Sequence, residues 1–266
     1  MVDWAAYTLV FVAGLITALA TGIGALPFFF VPDISEKFNV GLWGVASGIM
    51  MAASIFGLIP EGLNAGPWTT VAVGLVAGGL LVLVANDLLM DADIDSRTYE
   101  EADFKKLVLI LGVLTVHSFP EGIAIGVSFA ELNLGSGIPL LGFTVPALAI
   151  AMTIAISIHN IPEGVAISIP LRTMGVAEWK MVWWSIFSSL PQPLGAVIAF
   201  GFVQLAEPLL PAGFGFAAGA MIYLVLSEFI PDALEAGKEL DGKGYRELVA
   251  GFAAGGGGMI LLLVVV

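Results

Sequence analysis

The sequence of 266 residues contains no cysteine and few charged residues. Without cysteine the chain forms neither disulfide bonds nor thiolate metal sites. Charged residues make up only 12% of the chain, against about a quarter in ordinary soluble domains, and this excludes a soluble globular fold. Nine basic residues stand against 22 acidic ones, so no basic patch is available for a nucleic-acid partner.

Long apolar runs take the place of charge, and 59% of the residues are hydrophobic. A helix needs about 20 apolar residues to cross a bilayer, whereas the strands of a membrane barrel are short and strictly alternating. The runs therefore predict an all-α integral membrane protein, a single polytopic membrane domain over residues 1–266 with eight transmembrane helices. The predicted helices cover residues 5–30, 41–63, 68–90, 107–130, 142–170, 181–206, 212–234 and 246–266.

The basic residues predict the orientation of these helices. All nine lie in links that follow odd-numbered helices, and the even-numbered links and both termini have none. Because basic residues are retained on the cytoplasmic side, we expect a multi-pass protein of the cell membrane with extracellular N- and C-termini. The residues are Lys37, Arg97, Lys105, Lys106, Arg172, Lys180, Lys238, Lys243 and Arg246. The first helix lacks a basic leader region and is too long for a signal peptide, so we interpret it as a retained helix.

The two histidines of the protein open matching motifs in predicted helices four and five. HSFPEGIAI begins at His117 and HNIPEGVAI begins at His159, with six of nine positions identical. Because consecutive helices run in opposite directions, the motifs form an inverted repeat of the kind from which transporters build substrate sites. Polar residues inside a membrane are costly, so these motifs are the first candidates for function.

The spacing within each motif places a histidine and a glutamate on one helix face. His117 and Glu121 are four residues apart, as are His159 and Glu163. Two imidazoles and two carboxylates form a ligand set that suits Zn²⁺ best, with Fe²⁺, Mn²⁺, Co²⁺ and Cd²⁺ as further candidate ions. The alternative, histidine–glutamate hydrogen bonds across a helix interface, explains one such pair more readily than two matched pairs.

Further residues around the motifs complete the predicted site. Gly122 and Gly164 predict the close approach of another backbone or of a hydrated ion. Ser118 and Asn160 would add oxygen ligands, and Gln192 in helix six is either a neutral ligand or a helix-packing hydrogen bonder. Acidic residues near helix ends would form vestibules that concentrate cations, and these residues are Glu61, Asp87, Glu228 and Asp232. For Asp87 and Asp232, carboxylates that are merely solvated at the helix end are at least as good an interpretation.

The paired motifs resemble those of the ZIP (Zrt/Irt-like) family of divalent metal transporters, most closely its GufA- and ZupT-like prokaryotic members. The resemblance implies eight helices and uptake of Zn²⁺ into the cytoplasm through an often binuclear site at mid-membrane. It also implies a primary site of His117, Glu121, His159 and Glu163, with Ser118, Asn160 and Gln192 at a secondary one. Ser118 and Gln192 depart from the family's usual Asn and Glu, and this predicts one strong site and a weak or absent second.

We therefore expect a Zn²⁺ carrier that works by alternating access and is not an enzyme. A zinc-dependent intramembrane hydrolase is a rival, but no HExxH motif supplies its base. A proton-coupled carrier of a small organic solute is a second rival, for which two matched histidines have no explanation. The expected partners are the lipid bilayer and a divalent metal ion, and the sequence leaves a homodimer open.

Overall fold

The protein is a bundle of apolar helices, described by a computed structural model over residues 3–31, 34–90, 118–134, 137–205 and 207–265. Short 3₁₀ turns occur at Leu26–Phe29 and Glu207–Leu209, and π-helical turns at Ala53–Leu58 and Val225–Phe229. A hairpin of β1 (Ile138–Leu140) and β2 (Phe143–Val145) precedes the helix that begins at Ala147. The helices are α1 (Trp4–Ile23), α2 (Glu36–Ala52), α3 (Ile59–Ala65), α4 (Trp68–Met90), α5 (118–128), α6 (Ala147–Thr173), α7 (Glu178–Ser189), α8 (Pro191–Leu205), α9 (Leu210–Leu224), α10 (Ile230–Ala236) and α11 (Tyr245–Val265).

Seven stretches of the described chain are long and apolar enough to cross a membrane. Each matches a predicted span, which confirms the all-α membrane fold. They are Trp4–Phe29, Glu36–Ala65, Trp68–Ala85, Ala147–Arg172, Glu178–Gln204, Leu210–Ala236 and Tyr245–Val265. The fourth predicted span, 107–130, lies partly outside the described residues, which include its helical segment α5. The count of eight and the orientation of the termini therefore stay predictions.

The fifth span begins at Ala147 rather than at residue 142, because a hairpin occupies the preceding residues. Leu141 and Gly142 form its two-residue turn with φ angles of 52° and 86°. Positive φ at both positions is the geometry of a type I′ turn, which matches the twist of paired strands. Pro146 follows as the N-cap of α6, so helical structure starts only after it.

Spans two and seven share one irregularity beside an Ile-Pro-acid sequence. In span two the π turn Ala53–Leu58 leads into Pro60, and in span seven the π turn Val225–Phe229 leads into Pro231. Proline has no N–H, and its ring clashes with the carbonyl group four residues earlier. The wider turn accommodates this, and in span seven the N–H of Ile230 donates to the carbonyl five residues back.

Glycines spaced four residues apart bring two pairs of helices into backbone contact. Helix α2 packs against α11 and α4 packs against α9, with two glycines on each helix facing the partner's main chain. A Cβ atom at any of these positions would overlap a carbonyl oxygen of the facing helix. Small residues at this spacing permit the close packing that drives helix association in lipid. The glycines are Gly44 and Gly48, Gly251 and Gly255, Gly74 and Gly78, and Gly215 and Gly219.

Helices α1, α5, α6, α7 and α8 form a second group, which we call the site bundle. Helix α1 packs against α6, α7 and α8. Gly164 on α6 faces the main chain of Thr21 on α1, and Gly122 on α5 faces the main chain of Gln192 on α8. Both glycines follow the glutamate of a repeated motif. Of the two interpretations of these glycines, the structure supports the close approach of another backbone.

The remaining helices (α2, α3, α4, α9, α10, α11) and the π turns of spans two and seven form a group that we call the frame. It packs against the site bundle chiefly through α2 and α6. Gly57 of the frame faces the side chain of Leu148, and Gly213 faces those of Val127 and Val203. Apolar grooves of about 320 and 350 Å³ lie along this interface, one between α6 and the α2–α11 pair and one between α5, α8 and the α4–α9 pair. At this interface these two glycines therefore face side chains, whereas the glycines named above within each group face main chain.

We expect Gly251→Ala to destabilise the protein, because the added Cβ would overlap the carbonyl oxygen of Gly41 on α2. Overpacking of this kind costs about 1–3 kcal/mol. Gly257→Ala on the same helix is the matched control, since a Cβ there has open space. Thermal unfolding of the purified variants in detergent measures the difference. Equal midpoints for the two variants would contradict the proposed backbone contact between α2 and α11.

Candidate metal site

The two repeated motifs meet at one buried cluster inside the site bundle. Glu121 comes from α5, and His159 and Glu163 come from one face of α6. One ligand atom from each residue lies within 4.8 Å of the other two, and all three side chains are buried. The structure thus brings together three of the four residues that were predicted as principal ligands. His117, the fourth, lies outside the described residues.

Glu121 accepts hydrogen bonds through both of its carboxylate oxygens. Nε2 of His159 lies 3.0 Å from Oε1, and Nε2 of Gln192 lies 2.5 Å from Oε2. An ionised Glu121 only accepts, so both nitrogens are donors, and in a neutral imidazole Nδ1 of His159 then keeps its lone pair. A hydrogen bond from one ring nitrogen to a carboxylate is the usual arrangement of a metal-binding histidine, because it sets the orientation of the ring.

Several buried polar atoms of α6 have no hydrogen-bond partner among the residues that the structure describes. They are Nδ1 of His159, Oδ1 of Asn160 and both carboxylate oxygens of Glu163. Burying such atoms without partners is costly, and a charged group costs more than a neutral one. Imidazole nitrogen with carboxylate and amide oxygen is a donor set that suits Zn²⁺ better than Mg²⁺ or Ca²⁺, which prefer oxygen alone.

A network of side chains around Gln192 holds the opposite side of the cluster. Its Oε1 accepts from Thr17 Oγ1 at 2.6 Å and from Asn160 Nδ2 at 3.0 Å. The amide of Asn160 also donates to the main-chain oxygen of Thr17 at 2.7 Å. These donors require the oxygen of the Gln192 amide to face α1 and its nitrogen to face Glu121. Gln192 thus orients the carboxylate of Glu121.

Thr17 is a site residue that the sequence analysis missed. It lies on α1, is fully buried, and contacts two of the predicted site residues. A threonine in an apolar helix usually bonds back to its own helix, and Thr17 Oγ1 indeed lies 2.8 Å from the oxygen of Gly14. Nothing in its sequence position distinguishes it from such a residue. Ser118, which the motif did single out, is fully buried on α5.

None of the four predicted vestibule residues belongs to this ligand cluster. Glu61 and Glu228 are half-buried, and Asp87 and Asp232 are exposed. Within the described part of the chain, the ligand cluster consists of Glu121, His159 and Glu163 only. The vestibules therefore stay a prediction.

Comparison with known proteins finds zinc transporters that are similar to this chain. The profile of the ZIP zinc transporter family matches residues 92–265. The zinc transporter GufA of Myxococcus xanthus is 30% identical over 86% of this chain and 89% of its own length. The zinc transporter ZupT of Corynebacterium aurimucosum is 30% identical over 89% of this chain and 91% of its own length.

A further relative is longer than this chain. A protein of Arabidopsis thaliana, provisionally named a zinc transporter, is 42% identical over 83% of this chain, which spans 34% of that protein's length. The family profile covers more than half of the chain, and the two bacterial relatives align with most of it. This chain belongs to the ZIP zinc transporter family.

Proposed function

We propose that this protein carries Zn²⁺ across the cell membrane into the cytoplasm, through the buried cluster of α5 and α6. One observation carries the proposal: Glu121, His159 and Glu163 bring their ligand atoms within 4.8 Å of one another, in a part of the bundle that solvent does not reach. Intramembrane groups of this kind mark ion pathways. The zinc transporters among the relatives support Zn²⁺ as the substrate.

The proposed ligand roles follow from which buried atoms lack a hydrogen-bond partner among the described residues and which groups lie beside them. Glu163 and Nδ1 of His159 have lone pairs without partners, and Glu121 lies beside them, held by hydrogen bonds. We assign these three residues, together with the predicted ligand His117, to the principal site. Asn160 and Ser118 would contribute to a weaker second site, to which Gln192 brings no negative charge.

The proposed direction, into the cytoplasm, is the one that the resemblance to the ZIP family implies, and the charge pattern predicts the orientation of the helices. All nine basic residues lie in links that follow odd-numbered helices, which predicts that these links are cytoplasmic and that both termini are outside. In that orientation Glu61 lies near the outer face, and Asp87, Glu228 and Asp232 lie near the inner one. Acidic groups at the two ends of a path would raise the local concentration of cations where the ion enters and leaves.

Alternating access follows from the two packing groups. The site bundle is joined internally by backbone contacts at glycines, whereas glycines at its interface with the frame face side chains, and apolar grooves lie along that interface. We propose that the site bundle moves against the frame as a unit and carries the ion from one side to the other, as inverted repeats commonly permit. A close internal fit preserves the ligand geometry during such a motion.

The rival functions lack matching features. A zinc hydrolase needs a carboxylate base beside the metal in addition to the ligands, and the described cluster offers only the two glutamates already assigned. A carrier of organic solutes would not need an imidazole beside the two carboxylates. We therefore propose that the protein is a transporter and not an enzyme, with Zn²⁺ as substrate and not as a resident cofactor.

Uptake of radioactive Zn²⁺ into proteoliposomes tests the function. We expect Glu163→Gln to reduce uptake at least tenfold, because it removes a charged ligand whose oxygens have no other described partner. Glu239→Gln, at an exposed glutamate, is the matched control and should behave as wild type. Equal uptake by the two variants would contradict the assigned site. Accumulation of Zn²⁺ by whole cells tests the inward direction.

The number of ions per chain tests the predicted weakness of the second site. We expect one tightly bound Zn²⁺ in the wild-type protein and a second ion in Gln192→Glu, because the added carboxylate would face Glu121 and favour a dication between them. Calorimetric titration and elemental analysis of the purified protein measure both numbers. Two tightly bound ions in the wild type would contradict the prediction.

The role of Thr17 is testable through the affinity of the principal site. Thr17→Val removes the hydroxyl that holds Oε1 of Gln192, and so loosens the donor to Glu121. We expect Zn²⁺ affinity to fall about two- to tenfold, the value of one hydrogen bond. Thr153→Val is the matched control, since that hydroxyl bonds to Ala149 of its own helix. The idea fails if both variants bind Zn²⁺ equally well.

A further inference from the structure

The ring of Phe229 lies against the imidazole of His159 inside the protein. The ring centroids are 5.4 Å apart and the ring planes differ by 24°, which is an offset stack. Both side chains are fully buried. Phe229 belongs to the frame and His159 to the site bundle, so this contact crosses the interface between the two groups.

The π turn of span seven places Phe229 at this position. Phe229 is the last residue of the turn, directly before Ile230 and Pro231. An extra residue in a turn changes the face on which the following side chains point, so π turns commonly occur at functional sites. Behind Phe229, the indole ring of Trp43 on α2 makes an edge contact with centroids 4.9 Å apart. Phe229 is thus held from the frame side.

Two contacts together define the orientation of the imidazole. The hydrogen bond from Nε2 to Glu121 sets the direction of one ring nitrogen. The stack on Phe229 sets the plane of the ring, because a tilt would break the contact between the ring faces. The lone pair of an imidazole nitrogen lies in the ring plane, so fixing the plane and one nitrogen also directs the lone pair of Nδ1, which has no partner among the described residues.

We propose that Phe229 is a positioning residue for metal binding, which orients the imidazole of His159 toward the ion. This inference rests on the proposed function, because it assumes that His159 is a ligand. Phe229 itself contributes no ligand atom. Its loss would leave the hydrogen bond to Glu121 as the one remaining contact of these two, so the plane of the imidazole could tilt, and metal binding would then have to restrict that freedom.

Histidine-labelled protein tests this role directly, since the chain has only two histidines. The nuclear magnetic resonances of His159 are assigned by comparison with His117→Ala. In Phe229→Leu we expect the ring protons of His159 to move downfield, because protons over the face of an aromatic ring are shielded. We expect Zn²⁺ affinity in the same variant to fall about two- to tenfold, as the loss of one aromatic pair implies. Phe229→Tyr, which keeps the ring, should retain most of both properties.

Phe214→Leu is the matched control, since Phe214 is buried in the same span but packs against Gly62. If Phe229→Leu does not fold, Phe229→Met is measured in its place, because methionine fills the volume without a ring. A folded ring-free variant with unchanged His159 resonances or unchanged Zn²⁺ affinity would overturn the positioning role alone. Failure of the wild-type protein to bind Zn²⁺ in the same titration would overturn the proposed function, and the positioning role with it.

Discussion

A carboxylate buried inside a membrane bundle needs a hydrogen-bond donor or a cation beside it, and the candidate site of this protein is built around two such carboxylates. Glu121 has its partners within the chain, because His159 and Gln192 each donate to one of its oxygens. Glu163 lies beside it with neither oxygen partnered among the described residues. One satisfied and one unsatisfied carboxylate make a site that is held in place and that still gains from a cation.

Glycine determines how closely the helices approach and therefore which parts of the protein act as units. In the frame, glycines four residues apart join α2 to α11 and α4 to α9. In the site bundle, the glycine after each motif glutamate lets a neighbouring backbone approach, and Gln192 reaches Glu121 as a result. Side chains and grooves separate the two units. This difference between the contacts within each unit and the glycine contacts between them supports the proposed movement of the site bundle against the frame.

A helix irregularity near proline places a side chain against the site in span seven. The π turns before Pro60 and Pro231 occupy matching positions in spans two and seven. In span seven the turn brings Phe229 over the imidazole of His159, so a backbone adjustment to proline results in a contact with a proposed metal ligand. Helix α6 contains Pro162 and remains one helix through the ligand-bearing segment. Proline therefore has different structural consequences in the frame and in the site bundle.

The sequence by itself determined the membrane class, the positions of the seven described spans, and the convergence of Glu121, His159 and Glu163. These follow from hydrophobic length, from helical spacing and from a duplicated motif, all of which are local properties of the chain. Only the tertiary structure decided the hairpin before α6, the orientation of the Gln192 amide, and the parts played by Thr17 and Phe229. Thr17 meets a residue 175 positions away, and such a contact depends on how helices pack rather than on any pattern within them. Side-chain neighbours across helices are set by packing, which local sequence does not encode.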